Sequence, residues 1–169
     1  FLSEFNLNYI FIGSLIIILL LNFKSLLFLG DNGSYLLGIL ISYILIETYN
    51  QNIMSPFFIA LLLWYPSFEL LFSILRKFNF NKSPMAPDTN HLHQLIYLFI
   101  FKRIVKNAVK SNNLTSLIIN FYNLSIFFIG SLNYNNSEMQ ISLILLSVLF
   151  YIIVYRNLIA WKLKSVFPK

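Results

Sequence analysis

Long apolar runs separated by short polar stretches set the pattern of this chain. Phe5 to Phe23, Ile53 to Leu75, Leu114 to Leu132 and Met139 to Tyr155 each approach the ~20 largely apolar residues that a membrane-spanning helix needs. Ser34 to Tyr49 is a shorter candidate that opens directly after Gly30-Asp31-Asn32-Gly33. Leu95 to Phe101 is as apolar but too short to cross a bilayer. The pattern predicts an all-α fold, a polytopic transmembrane helix bundle of about five spans. It reads as a single transmembrane domain over residues 1–169, with cytoplasmic loops at residues 24–33 and 76–113. In the second loop, Lys102, Lys106 and Lys110 recur every four residues, while Ile104, Val105, Ala108 and Val109 take the other side. Leu92 to Lys110 is therefore expected to be an interfacial amphipathic helix, basic side to water and anionic headgroups. A basic flank with no specific partner is the rival reading. No internal repeat or coiled-coil heptad is present.

Charge orients the spans. Lys24 follows the first run, and Arg76, Lys77, Lys82, Lys102, Arg103, Lys106 and Lys110 lie between the third and fourth. Arg156, Lys162, Lys164 and Lys169 follow the fifth, whereas Glu47 to Asn52 and Asn133 to Glu138 contain no Lys or Arg. Cytoplasmic loops collect Lys and Arg, so the expected protein is a multi-pass protein of the inner or plasma membrane. Its N-terminus is outside and its C-terminus cytoplasmic. That orientation brings the Gly30–Ser34 and Arg76–Ser111 segments to one face.

Composition narrows the chemistry. Only 11% of residues are charged and 58% are hydrophobic, against roughly a quarter charged in an average soluble domain. With a mean hydropathy of +0.73, these values exclude disorder and a soluble nucleic-acid binder, although the pI is 9.6. The absence of cysteine excludes disulfides, thiolate metal sites and cysteine nucleophiles. Two histidines and six acids leave a hard, oxygen-ligated ion such as Mg²⁺ as the metal the chain could hold. The chain opens on Phe1 with no signal-peptide pattern, so it is expected to be a fragment or a processed form.

Three places could do chemistry. In Phe28-Leu29-Gly30-Asp31-Asn32-Gly33-Ser34, a carboxylate at the mouth of a membrane helix is costly unless solvated, paired or bound to a cation. Gly30 and Gly33 allow close approach of a ligand. Backbone N–H groups at the following helix start, with Ser34 Oγ, could bind phosphate oxygens while Asp31 holds a bridging metal. The alternative is a plain turn with Asp31 or Asn32 as an N-cap. In the loop Lys82-Ser83-Pro84-Met85-Ala86-Pro87-Asp88-Thr89-Asn90-His91-Leu92-His93-Gln94, two histidines form a weak zinc signal, and phosphate contact is the better functional reading. A solvated loop with incidental histidines is the alternative. Glu69, three residues after Pro66, is an acid inside a span, expected to face the bundle interior or a water-filled cavity, with a Lys or Arg at the cytoplasmic end as candidate partner; a purely structural ion pair is the alternative.

Together these stretches resemble the polyprenyl-phosphate sugar-1-phosphate transferases, the WecA- and MraY-like membrane enzymes of glycosyltransferase family 4. Phe28 to Ser34 is similar to that family's F-(M/L)-G-D-x-G-S segment, and Ser83 to His93 is similar to its S-P-x-x-P-D-x-x-H-L-H-H loop. The resemblance implies transfer of a sugar-1-phosphate from a UDP-sugar to polyprenyl (undecaprenyl) phosphate at the cytoplasmic face, with Mg²⁺ as cofactor and UMP released. It implies Asp31 as Mg²⁺ ligand and catalytic acid, with His91 and His93 as catalytic contacts to the nucleotide phosphates. Gly30, Asn32, Gly33, Ser34, Lys82 and Asp88 follow as substrate- and phosphate-binding candidates.

This chain departs from the family in having Gln94 where the loop usually has His, and Glu69 where the span usually has Asp. The family's upstream aspartate motifs have no counterpart, since Glu4 is the only acid before Asp31. The chain thus reads as the C-terminal portion of such an enzyme, its protein partner either a second copy or a missing N-terminal half. Two rivals stay open: a non-catalytic membrane subunit or remnant of the fold, and half of a transporter with Glu69 as a coupling carboxylate.

Overall fold

The structure is a computed structural model of the chain and describes residues 2–79, 81, 83, 88 and 90–166. Lys82, Pro84, Met85, Ala86, Pro87 and Thr89 lie outside the described residues. Among the described residues all regular structure is helical, in seven helices. The chain divides into two compact units, Phe1–Glu47 and Thr48–Lys169.

The first unit holds α1 (Leu2–Phe23) and most of α2 (Gly30–Asn50). α1 stops where Ser25 takes a left-handed φ of 58°. There the Ser25 N–H donates to the Asn22 carbonyl at 2.8 Å and the Leu26 N–H to the Leu21 carbonyl at 2.9 Å, satisfying carbonyls the helix end would orphan. α2 closes in the same way, with Asn52 at φ 54° and the Ile53 N–H donating to the Thr48 carbonyl at 3.2 Å. α2 starts earlier than its apolar run predicts. Gly30 to Gly33 are its first turn and not a preceding loop, because Gly30 at φ +65° turns the chain directly into helix.

The second unit holds α3 (Pro56–Leu62), α4 (Trp64–Asn79), α5 (Leu92–Arg103), α6 (Ala108–Ser131) and α7 (Ser137–Val166). The run predicted as one span over Ile53 to Leu75 is two helices meeting at 69°. Ser55 starts α3 by accepting from the Phe58 N–H at 3.1 Å, with Pro56 in the first helical position, where its missing N–H costs nothing. Pro66 in the first turn of α4 has no N–H to continue the ladder from α3, so the chain bends there.

By length and composition, α6 and α7 can each cross a membrane, and the bent α3–α4 pair makes a third candidate span. α1 contributes a shorter apolar stretch, Phe11–Phe23. The protein is a multi-pass, all-helical membrane protein.

The amphipathic helix predicted to run to Lys110 ends at Arg103. The adjacent β-branched pair Ile104-Val105 weakens helix continuation, and Asn107 restarts the chain as N-cap of α6 by accepting from the Lys110 N–H at 3.0 Å. Lys106 thus sits in the break, and Lys110 belongs to α6.

The core of this unit joins Phe58, Leu61 and Trp64 to Leu92 and Leu95 of α5, Ile126 of α6, and Tyr151 and Tyr155 of α7. α3 meets α6 at Gly130, where a Cβ would stand 2.5 Å from Leu61 Cδ2, so only glycine permits that approach. Beside it the fully buried Gln140 donates from Nε2 to the carbonyls of Gly130 and Asn133, both at 2.9 Å. One carbonyl at the end of α6 and one in the turn after it thereby each gain a side-chain donor from α7.

Candidate functional site

At the head of α2, Asp31, Asn32 and Ser34 are exposed. The first-turn N–H groups of a helix have no internal partners, and the helix dipole favours negative charge there. Ser34 Oγ donates to the Gly30 carbonyl at 2.9 Å, which commits its hydrogen and leaves its lone pairs outward. Gly30, Asp31, Asn32, Gly33 and Ser34 are thus brought together in one helical turn. Asp31 supplies one carboxylate. Among the described residues no group of three or more His, Asp or Glu could hold a metal. A single carboxylate suits Mg²⁺, which keeps several waters and is commonly held by one or two carboxylates plus substrate phosphates.

In the second unit, α4 and the head of α5 build a polar cluster. His91 is the N-cap of α5 in an extended conformation (φ −67°, ψ 149°), and its N–H donates to Gln94 Oε1 at 3.3 Å. Gln94 therefore helps start the helix. Entering the helix brings two imidazoles spaced two apart onto one side: His91 and His93 stack, with ring centroids 5.6 Å apart and planes 16° apart.

Glu69 meets His91 from α4. Its Oε1 lies 2.9 Å from His91 Nδ1 and accepts from the Leu92 N–H at 3.0 Å, while Oε2 accepts from the Tyr151 hydroxyl at 2.8 Å. Among the described residues the expected Lys or Arg partner for Glu69 is not found: its oxygens meet His91, the Leu92 N–H and the Tyr151 hydroxyl, while Arg76 pairs with Asp88. Packing against the ring lowers the His93 imidazole below the ordinary histidine value; Glu69 opposes that shift and His91 adds to it. His93 is therefore neutral at pH 7.

Asp88 is held by a second network. It pairs with Arg76, accepts from Ser73 Oγ at 3.0 Å, and accepts from the Asn90 N–H at 3.0 Å. Arg76 also donates to the Tyr155 hydroxyl at 2.8 Å and lies over the rings of Phe72 and Tyr155. Lys162 Nζ donates to Asn90 Oδ1 at 2.6 Å, so α7 grips the same loop. Burial raises the Asp88 carboxyl most strongly of any single cause, but the Asn90 N–H, Ser73 and Arg76 together hold it below the usual carboxylate value.

The unfolded chain then binds a proton more readily than the folded one. The stabilisation is complete above the unfolded value near pH ~4 and is lost as pH falls through the lowered folded value. Asp88→Asn is expected to cost about 2 kcal/mol at pH 7 and to lower the thermal midpoint. The gap from wild type should narrow as the pH drops below ~4. An equal midpoint at pH 7 would remove Asp88 from this role.

The fold thus gathers His91 and His93 with Glu69, engages Asp88 with Arg76, and carries Asp31 on a separate unit; Lys82 lies outside the described residues. Sequence reasoning missed Tyr151, Arg76 and the capping role of Gln94. Only Gln94, three residues after the N-cap, left a readable sign.

No protein-family model and no solved structure matches the chain. It is 32% identical over 68 residues to the undecaprenyl-phosphate alpha-N-acetylglucosaminyl 1-phosphate transferase of Thermotoga maritima, covering 40% of this chain and 22% of that protein. Proteins of the same description from Escherichia coli and Shigella flexneri are 35% identical over 72 residues, covering 41% of this chain and 19% of theirs. The chain matches about a fifth of the length of these relatives, and over that stretch it is similar to undecaprenyl-phosphate sugar-1-phosphate transferases.

Proposed function

We propose that this chain supplies part of the cytoplasmic-face site of a polyprenyl-phosphate sugar-1-phosphate transferase that takes a UDP-sugar as donor and releases UMP. The observation that carries the reading is the imidazole pair at the head of α5, His91 braced on Glu69 and His93 stacked beside it. The partial similarity to undecaprenyl-phosphate transferases supports the same reading.

In this reaction an oxygen of the lipid phosphate bonds to the β-phosphorus of the UDP-sugar. The bond from that phosphorus to the bridging oxygen breaks, and UMP leaves with the bridging oxygen. Negative charge builds on the leaving phosphate, and hydrogen-bond donors aimed there stabilise it. Neutral His93 would donate a ring N–H to those oxygens and Lys82 would add positive charge, while His91 would meet phosphate through Nε2, whose lone pair accepts from a protonated phosphate oxygen. On the other unit, the first turn of α2 from Gly30 to Ser34 would offer N–H groups to phosphate. Asp31 would be this chain's ligand to Mg²⁺, which when bound neutralises phosphate charge. Asp88 would act on the substrate through the loop it holds.

Labelling tests this. Membranes carrying the protein at its natural length are given UDP-sugars labelled in the sugar. The expected result is label in the organic-extractable lipid with equimolar UMP. Release of UDP would mean glycosyl transfer without phosphate, and absence of lipid label would favour a non-catalytic membrane subunit. The orientation has its own check: a reporter fused after Asn136 should read as extracytoplasmic, and a cytoplasmic reading would reverse the site's face.

A further inference from the structure

We infer that Glu69 and Tyr151 are positioning residues for His91, holding its imidazole with the hydrogen on Nδ1 and so presenting Nε2 to the ligand. The identity of that ligand rests on the transferase reading; the tautomer does not.

Both Glu69 oxygens serve as acceptors, Oε1 for the Leu92 N–H and Oε2 for the Tyr151 hydroxyl, and an ionised carboxylate has no hydrogen to give. The 2.9 Å contact to His91 therefore requires the hydrogen on Nδ1. Which nitrogen of a histidine carries its hydrogen is set by the bond the other one makes. Here that bond is fixed at three points. Leu92 ties Oε1 to the start of α5, so the acceptor cannot swing away from the ring beside it. Tyr151 ties Oε2 to α7 and is itself 2% exposed, wedged edge-on against Phe68 at 5.0 Å and Phe72 at 5.5 Å. The carboxylate arrives from α4 with its side chain only 12% exposed. Remove that acceptor and nothing described holds the hydrogen on Nδ1. The neutral ring could then offer Nε2 as a donor in place of a lone pair.

The test uses the protein at its natural length in lipid nanodiscs, labelled with ¹⁵N-histidine, with His91 assigned by the resonance lost in His91→Asn. At alkaline pH the wild type should give a protonated Nδ1 and a bare Nε2. Glu69→Met, which removes the acceptor, should mix the tautomers and lower kcat about 10–100-fold, with KM changed less than about twofold. Glu69→Gln keeps an acceptor oxygen while removing the charge. It should retain the Nδ1–H tautomer and recover at least about tenfold of the kcat lost in Glu69→Met.

Tyr151→Phe leaves the core ring in place and frees Oε2. It should broaden the His91 signals, and it keeps the test alive if Glu69→Met does not fold. Unchanged His91 signals in Glu69→Met, or in Tyr151→Phe where Met does not fold, overturn the inference whatever the activity. Equal loss of kcat in Gln and Met variants overturns it too, since charge alone would then be at work. A wild type that forms no lipid-linked sugar phosphate removes the transferase reading only, and the tautomer still decides this one.

Discussion

Asp31→Asn in the protein at its natural length is expected to lower sugar-phosphate transfer about a thousandfold. Asn keeps the shape of the side chain and suits the first helical turn, so α2 should start as before. What it loses is the charge. The size of the effect separates two roles for Asp31. A carboxylate that only complements the helix dipole contributes 0.3–1 kcal/mol at most surface sites, which is a loss of less than about tenfold. A carboxylate that ligates Mg²⁺ beside the reacting phosphates loses far more and is not rescued by extra Mg²⁺. Initial rates across a Mg²⁺ titration make the distinction, and a variant within tenfold of wild type would remove Asp31 from the metal.

His91→Asn is expected to cost about a hundredfold in kcat while leaving the thermal midpoint unchanged. The Asn amide nitrogen falls near the position of Nδ1 and can still donate to Glu69. Asn is also among the best N-caps, so the start of α5 is preserved. Only Nε2 disappears. His91→Leu removes both groups and should lower the thermal midpoint as well, because Glu69 then loses a donor in a largely buried place. Equal kcat in wild type and His91→Asn would mean that Nε2 meets nothing during the reaction.

Much of the helical plan is legible along the chain, and the reasons differ by element. The runs behind α6 and α7 are long and apolar, so the existence of both helices follows, but their extents do not: α6 starts at Ala108, ahead of its apolar run, and α7 continues past Tyr155 to Val166 because charged residues end the apolar pattern without ending the helix. The bend between α3 and α4 has a visible agent in Pro66, yet hydropathy averages over it and reads Ile53 to Leu75 as one span. α5 is shorter than its pattern predicts because lysines at four-residue spacing continue through Ile104-Val105, where local backbone preference and the Asn107 cap decide instead. The site is harder. His91 and His93 can be found from the loop motif, but their stacking depends on a helix starting at that residue. Glu69 is 22 positions from His91 and 82 from Tyr151. Nothing local marks such a pairing, because packing of α4, α5 and α7 creates it.

The contacts made by α7 have a consequence for how this stretch can change length. Tyr151, Tyr155 and Lys162 reach Glu69, Arg76 and Asn90 in turn. They are spaced four and seven apart, and at ~100° per residue they stay within about 40° of one helix face. Inserting one residue between Tyr155 and Lys162 would swing Lys162 by ~100° and off Asn90. Inserting seven would restore its direction but displace it by about 10 Å along the axis. Substitutions on the opposite face leave this phase intact, so the segment should accept changes of residue there but no change of length between Tyr151 and Lys162.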